Sequence, residues 1–257
     1  MPELPDLQVI AQNLEKIYVN CCLEDIYLSE KAKINVESSN FKRVLLGKKV
    51  ETIFRFGKEI GIGFEDGHYL YLHLMREGKL FKSDTDVKNA ILKLHFSDGK
   101  MLVMSDFMAQ ARVWLNPELS DVPDPLGDCF TIEYLRTRLL EKGKTVIKAF
   151  LIDQNNILGI GNAYADEILW KTKLSPSSKC GNIPENVVIE LHQNIHLVLE
   201  DAIQKIKEID PEIISGEIRS FLSVHNKDKK ITPTGYEILT SKVGGKITYF
   251  TEEQVVY

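Results

Sequence analysis

A chain of 257 residues with 44% hydrophobic and 9% aromatic content can bury one large core or two smaller ones, which excludes wholesale disorder. Its apolar runs fall far short of the ~18 residues a membrane span needs. No basic segment followed by an apolar run opens it, so we expect no membrane partner and a cytoplasmic protein, nucleoid-associated if bacterial. A net charge of −5 argues against a chain that coats nucleic acid non-specifically.

Residues 6–17 read as a helix, because Leu7, Ile10, Ala11, Leu14 and Ile17 recur at helical spacing, with Asp6 as its N-cap. Residues 23–115 read as antiparallel sheet. Ile60, Ile62 and Phe64 alternate before Asp66-Gly67, and Leu92, Leu94 and Phe96 alternate before Asp98-Gly99, two hairpin-turn dipeptides. Two packed sheets of this size make a β-sandwich. Pro123–Gly127 reads as a linker, after which the period changes to helical over 131–142, 145–153, 163–173 and 185–208. Gly244-Gly245 and the run Ile247–Phe250 predict a terminal hairpin. The expected class is α+β, divided at 1–122 (N-terminal β-sandwich with its helix), 123–215 (helical module) and 216–257 (hairpin). From Gly216 to Thr248 six basic residues face three acidic ones, so the tail is basic where the whole chain is acidic.

Cys21, Cys22, Cys129 and Cys180 have no zinc-ligand spacing, and buried free thiols are the expectation. His192 and His196 stand four apart on a helix, but Gln193 occupies the place of a catalytic Glu and no third ligand follows. We read them as a solvated helix face, and expect no metal and no cofactor.

The start of the chain, Met1-Pro2-Glu3, has chemical potential. Removal of Met1 frees Pro2 as a secondary amine, roughly a tenth of which is neutral at pH 7 on the α-amino reference. The positive end of the first helix would lower that pKa further. Such an amine can condense with a sugar C1′ to an iminium ion, expelling the base. Glu3 beside it could protonate the ribose ring oxygen.

A series of ordered motifs carries a resemblance. Met1-Pro2-Glu3-Leu4-Pro5-Asp6 opens the chain. Phe56-Gly57-Lys58 and Leu72-His73-Leu74 follow in the sheet region. Leu151-Ile152-Asp153-Gln154 leads to Gly159-Ile160-Gly161-Asn162-Ala163-Tyr164-Ala165-Asp166-Glu167-Ile168-Leu169, and Lys242-Val243-Gly244-Gly245-Lys246 closes the series. Together they resemble the formamidopyrimidine-DNA glycosylase and endonuclease VIII family. The resemblance implies an N-terminal β-sandwich, a helix-two-turn-helix domain and a β-hairpin finger, acting on double-stranded damaged DNA as a monomer. It also implies base flipping, since C1′ is inaccessible in a stacked duplex. The activity it implies is a bifunctional DNA glycosylase and AP lyase removing oxidised bases through a Pro2 Schiff base. Pro2, Glu3 and Lys58 then belong to the catalytic set, with Asp6 as proton relay. Lys58 and His73 would also reach phosphates near the lesion. Asn162, opening a helix after two glycines, suits a phosphate. Lys246 stands where the family usually has Arg, and keeps the charge without the bidentate fork.

The chain departs from the family in four places. No cysteine follows Cys180, and Ile231-Thr232-Pro233-Thr234-Gly235 replaces the first pair of the usual zinc finger. The finger is therefore expected to be zincless, packed by Ile231, Tyr236, Ile238, Tyr249 and Phe250. The void-filling wedge is altered. Among Met75 and Arg76, Arg76 falls at the usual Met position, while Met108 and Gln110 replace an Arg and an aromatic. Leu4 points to the purine-specific branch and the short stretch from Gly216 to Lys227 points away from it. Asp6 replaces a usual Glu and is one methylene shorter. Two other readings stand beside the enzyme: a catalytically impaired damaged-DNA-binding relative and, more distantly, an RNA-binding helix-two-turn-helix protein.

Overall fold

The computed structural model describes residues 1–83, 85 and 87–257, in two compact units. The first comprises Met1–Ser120 and Ile206–Glu217, the second Asp121–Lys205 and Ile218–Tyr257. The sheet expectation at positions 84 and 86 lies outside the described residues.

The first unit opens with α1 (Leu4–Tyr18). It continues through β1 (Leu23–Leu28), β2 (Lys33–Ile34), α2 (Ser38–Leu45), β3 (Val50–Phe56), β4 (Glu59–Phe64), β5 (Tyr69–His73), β6 (Lys79–Lys82), β7 (Ala90–Phe96), β8 (Met101–Ser105) and β9 (Arg112–Leu115). Two sheets form, in the orders β1-β7-β8-β6 and β2-β9-β5-β4-β3. Both expected hairpins are present, with Gly67 and Gly99 at φ +80° in their turns. Alternation fixes which side is buried: Leu92, Leu94 and Phe96 of β7 and Ile60, Ile62 and Phe64 of β4 are all within 2% of full burial. Three details differ from the sequence reading. The pairing of β2 with β9 is parallel. Ser38–Leu45 is a helix, too short for its two buried residues, Phe41 and Leu45, to show a period against the strand text around it. And α1 begins at Leu4, not at residue 6, because Pro5 sits in the first turn, where its fixed φ suits a helix and its missing N–H costs nothing.

The second unit contains α3 (Ile132–Glu141), α4 (Ile147–Ile152), α5 (Asn162–Lys171), most of α6 (Glu185–Ile209) and the hairpin β10 (Leu239–Val243) and β11 (Lys246–Phe250). All four helices and the hairpin were legible in the sequence. Thr131 caps α3 by accepting the Tyr134 N–H at 3.1 Å. Val188, Leu191, Ile195, Leu199, Ala202 and Ile206 bury one face of α6. Gly244 (φ +58°) and Gly245 (φ +79°) form the primed turn that a two-residue hairpin needs. A Cβ on Gly244 would lie 3.1 Å from Cβ of Ala149 in α4, so glycine also lets the turn close on the helix.

Among the described residues no helix is long and apolar enough to cross a membrane. Cys21 and Cys180 are buried as expected, whereas Cys22 is half-buried and Cys129 is exposed, in the loop ahead of α3. His192 and His196 are not a solvated face. Both are half-buried, the His192 ring stacks on Phe130 at 5.1 Å, and its Nε2 lies 2.9 Å from the Phe130 carbonyl.

Candidate active site and nucleic-acid interface

In the first unit, the chain start is built around the N-terminus of α1. Glu3 is the N-cap and Asp6 the third helical residue, reversing the expectation that Asp6 caps. The two form a reciprocal capping box: the Glu3 carboxylate accepts the Asp6 N–H, and the Asp6 carboxylate accepts the Glu3 N–H at 2.9 Å. Glu3 is 5% exposed and Asp6 wholly buried. Two carboxylates at the positive end of a helix stabilise the helix. Pro2, buried, immediately precedes the cap. The amine of Met1 pairs with Glu217 at 2.8 Å. The segment bearing Glu217 is tied to this unit by Asn13, whose Nδ2 donates to the Ile213 carbonyl, and by Ser215, whose Oγ accepts the Leu80 N–H, each at 2.9 Å.

Lys58 lies in the tight turn between β3 and β4, after Gly57 at φ +55°. His73 ends β5, directly opposite Arg112 in β9. Burial, then the positive charges of Arg112 and Lys58, pull the His73 pKa down to about 4, so its ring is neutral at physiological pH. Its Nδ1 accepts the Met75 N–H at 3.0 Å, which leaves the proton on Nε2. His73 is therefore a neutral donor set among cations. Arg112 escaped sequence reasoning, because only the β5–β9 register brings it to His73 and no local motif marks it.

The same register sets two loops side by side, 74–78 after β5 and 106–111 before β9. Each contains a non-glycine residue in the left-handed region, Met75 at φ +53° and Ala109 at φ +49°, a conformation that concentrates at functional sites. Arg76 is exposed and Met75 half-buried. A Cβ on Gly78 would come within 2.3 Å of the Leu74 carbonyl oxygen, so only glycine closes the first loop. The second is clamped by Asp106, 3% exposed, which accepts the N–H groups of Met108, Gln110 and Ala111 at 2.9, 2.6 and 2.8 Å. Phe107 and Met108 project from it, 68% and 43% exposed.

In the second unit, α4 and α5 flank two turns held by Gln154, whose Nε2 donates to the carbonyls of Ile152 and Ile160 and whose Oε1 accepts the Gly159 N–H. Asn162 opens α5, and its Nδ2 donates to the Ile247 carbonyl at 2.9 Å. Ile247 follows Lys246, which is exposed at the start of β11, so two of the expected phosphate ligands are brought together across the helical module and the hairpin. The finger keeps part of the expected packing: Ile238, Tyr249 and Phe250 are half-buried, and the Tyr249 ring lies 4.8 Å from that of His225. Ile231 and Tyr236 are 62% and 48% exposed and pack little. Polar clasps hold it as well. Glu253 accepts from Trp170 Nε1 at 3.1 Å, Thr234 Oγ1 at 2.8 Å and Thr251 Oγ1 at 3.2 Å, and pairs with Lys173. Glu167, which burial pushes up in pKa, accepts the N–H groups of Ser223, Val224 and His225, each at 2.8 Å.

Family comparisons agree with this geometry. Residues 1–113 match the formamidopyrimidine-DNA glycosylase N-terminal domain, and residues 122–211 match the formamidopyrimidine-DNA glycosylase H2TH domain. The formamidopyrimidine-DNA glycosylase of Ligilactobacillus salivarius is 31% identical over 207 residues, 76% of this chain and 75% of the relative. That of Pelotomaculum thermopropionicum is 28% identical over 269 residues, 97% of each chain. Among solved structures, the Lactococcus lactis enzyme in complex with DNA containing an abasic site superimposes with a TM-score of 0.85 at 27% identity, over 97% of both chains. MutM in complex with DNA containing carbocyclic 8-oxo-G gives the same score and identity, over 97% of this chain and 98% of that one. With both domain models matched in order and a relative above 30% identity covered over three quarters of its length, the chain belongs to the formamidopyrimidine-DNA glycosylase family, DNA N-glycosylases with AP lyase activity that act in base excision repair.

Proposed function

We propose that this chain excises oxidised bases from duplex DNA and then cleaves the abasic strand, with the amine of Pro2 as nucleophile. The observation that carries the reading is the start of α1, where Pro2 directly precedes a helix N-terminus whose capping carboxylates are Glu3 and Asp6. Loss of Met1 exposes the Pro2 amine. The helix dipole disfavours its ammonium form while the neighbouring Glu3 carboxylate favours it, so amine and carboxylate titrate as a coupled pair. The amine lone pair forms the N–C1′ bond as the glycosidic bond breaks, the base leaves with the bonding pair, and the proton lost by the new ammonium neutralises the departing base. Glu3 delivers a proton to the ring oxygen, the C1′–O4′ bond opens, and the nitrogen lone pair closes the iminium ion. Loss of a C2′ proton then expels the 3′ phosphate by β-elimination. Asp6, whose carboxylate accepts the Glu3 N–H, is the candidate proton relay.

The other expected residues fit binding. Lys58 and the neutral Nε2–H of His73 offer a charged and an uncharged donor to phosphates flanking the flipped nucleotide. Asn162 and Lys246 do the same from the second unit, and the exposed residues of the two loops, Met75, Arg76 and Met108 among them, fill the gap that flipping leaves. A DNA-binding relative without productive chemistry is not favoured, because the resemblance to catalytically named relatives spans nearly the whole chain.

Borohydride trapping on duplex DNA with an abasic site tests the nucleophile, with the N-terminal mass read on the same sample. A covalent adduct on Pro2 in protein lacking Met1 is the expected result, and Pro2→Gly should sharply reduce trapping while leaving DNA affinity nearly intact. Wild-type protein with a free Pro2 that binds the duplex but forms no adduct would overturn the assignment.

A further inference from the structure

Asp166 is a buried carboxylate that the proposed chemistry does not use. It lies one helical turn after Asn162 on α5, it is 1% exposed, and three other segments converge on it. Its Oδ1 pairs with the ammonium of Lys148 from α4, a wholly buried ion pair. Its Oδ2 accepts the Tyr249 N–H of β11 at 3.1 Å and lies 2.6 Å from His225 Nδ1. The Lys148 ammonium also donates to the Asn162 carbonyl at 2.8 Å. Removing two charges from water is expensive, and the cost is offset only where geometry is good and further hydrogen bonds satisfy both partners.

We infer that Asp166 is a positioning residue, the metal-free clasp that sets the hairpin in register on α5 and so fixes Lys246 relative to Asn162. The geometry is a two-rung ladder. Asn162 and Asp166, four residues apart on a helix, are separated by about 6 Å along its axis. Ile247 and Tyr249, two residues apart on a strand, are separated by about 6.6 Å. The rises match, so the Asn162 side chain meets the Ile247 carbonyl while the Asp166 side chain meets the Tyr249 N–H. A slip of one residue in β11 would break both rungs and turn alternate side chains to the opposite face. Family members with a zinc finger would fix such a hairpin by ligation. Here hydrogen bonds to one carboxylate do so, and His225 adds a tether from the segment preceding the hairpin.

The inference rests on the reading that Asn162 and Lys246 bind phosphate, and the test separates the two. DNA affinity is measured against salt on a duplex with a non-cleavable abasic analogue for wild type, Lys246→Ala, Asp166→Asn and the double variant. Lys246→Ala should flatten the slope of log affinity against log salt by about one. Asp166→Asn should lower affinity about tenfold and flatten the slope equally, although Asp166 touches no phosphate. In the double variant Lys246→Ala should then have almost no further effect, the mark of coupled positions. His225→Gln, which removes one donor and keeps the buried ion pair, should show the same pattern more weakly and carries the test if Asp166→Asn does not fold. A folded Asp166→Asn or His225→Gln protein with wild-type affinity and slope overturns the positioning role, as do effects additive with Lys246→Ala. A Lys246→Ala protein with an unchanged slope refutes the phosphate reading itself, and the inference with it.

Discussion

Removal of the Asp106 carboxylate should disable the loop 106–111 without unfolding the protein. That carboxylate is buried and accepts three backbone N–H groups at 2.6–2.9 Å. Hydrogen bonds to a charged group contribute about 1.5–3 kcal/mol each, but Met108 is exposed and Gln110 half-buried, so water can replace much of what they lose. Ala111 is fully buried, so its N–H bears the whole penalty of going unpaired. The left-handed Ala109, strained by about 1–3 kcal/mol, would also lose what holds it. Asp106→Ala therefore destabilises the observed loop by about 2–4 kcal/mol, enough to reduce its population by a factor of roughly 30 or more. Phe107 and Met108 would no longer be presented as a rigid apolar pair. Because a wedge offsets the cost of unstacking a paired base, single-turnover excision of a lesion in a fully paired duplex should fall by about ten- to a hundredfold. Excision of the same lesion opposite a gap, where little unstacking remains, should stay near wild type. Phe107→Ala should reproduce the difference between substrates in milder form. Equal losses on paired and gapped substrates would refute the reasoning, since they would mean that the loop supports the chemistry and not the flipping.

Other expectations follow from the site. His73 is held neutral with a pKa of about 4 against an ordinary 6.5, so its contribution to stability is complete above pH 6.5 and is lost as pH falls towards 4, by up to about 3 kcal/mol. His73→Gln should weaken that decline between pH 6.5 and 4 in denaturant melts. Burial raises the Glu253 pKa, but the Lys173 ammonium and the donors of Thr234 and Trp170 outweigh it and hold the carboxylate below its ordinary value. Its stabilisation of the finger is thus present above the unfolded pKa and lost as pH falls through the folded one. Glu253→Gln should increase amide exchange in β10 and β11 at neutral pH. A chelator should leave exchange there and DNA affinity unchanged. Lys246→Arg should tighten DNA binding a few-fold by restoring a bidentate fork, measured as affinity at fixed salt.

What could be read from the sequence divides along the range of the interactions involved. The helices of the second unit and the three hairpin turns depend on period and on glycine at positive φ, which are local, and 131–142, 163–173, 185–208 and Gly244-Gly245 were all legible. Positions fixed by a resemblance, such as Asn162 at the start of α5, were legible too. The cap of α1 was misread by three residues, because Glu3 and Asp6 are both acidic and reciprocal capping lets either occupy either role until Pro5 decides. Arg112 beside His73, Asp106 beneath its loop and the clasps of Asp166 and Glu253 depend on contacts that are distant along the chain or on loop conformation, and no spacing rule reports those.

The finger shows how this shaped one expectation. With no cysteine after Cys180, hydrophobic packing is the natural substitute for zinc, with Ile231, Tyr236, Ile238, Tyr249 and Phe250 as the candidates. A hairpin of five-residue strands has too little apolar surface for that: only Val243 and Thr248 are buried within it. Isolated hairpins of this length are marginal in water. The remaining means of fixing one is to satisfy its backbone with polar side chains of a rigid neighbour, as the donor Asn162 and the acceptor Asp166 of α5 do along β11. Such clasps are directional where packing is not. They fix a single register, so the residue after the Gly244-Gly245 turn, Lys246, is held in one position relative to the helix start that it would serve together with Asn162.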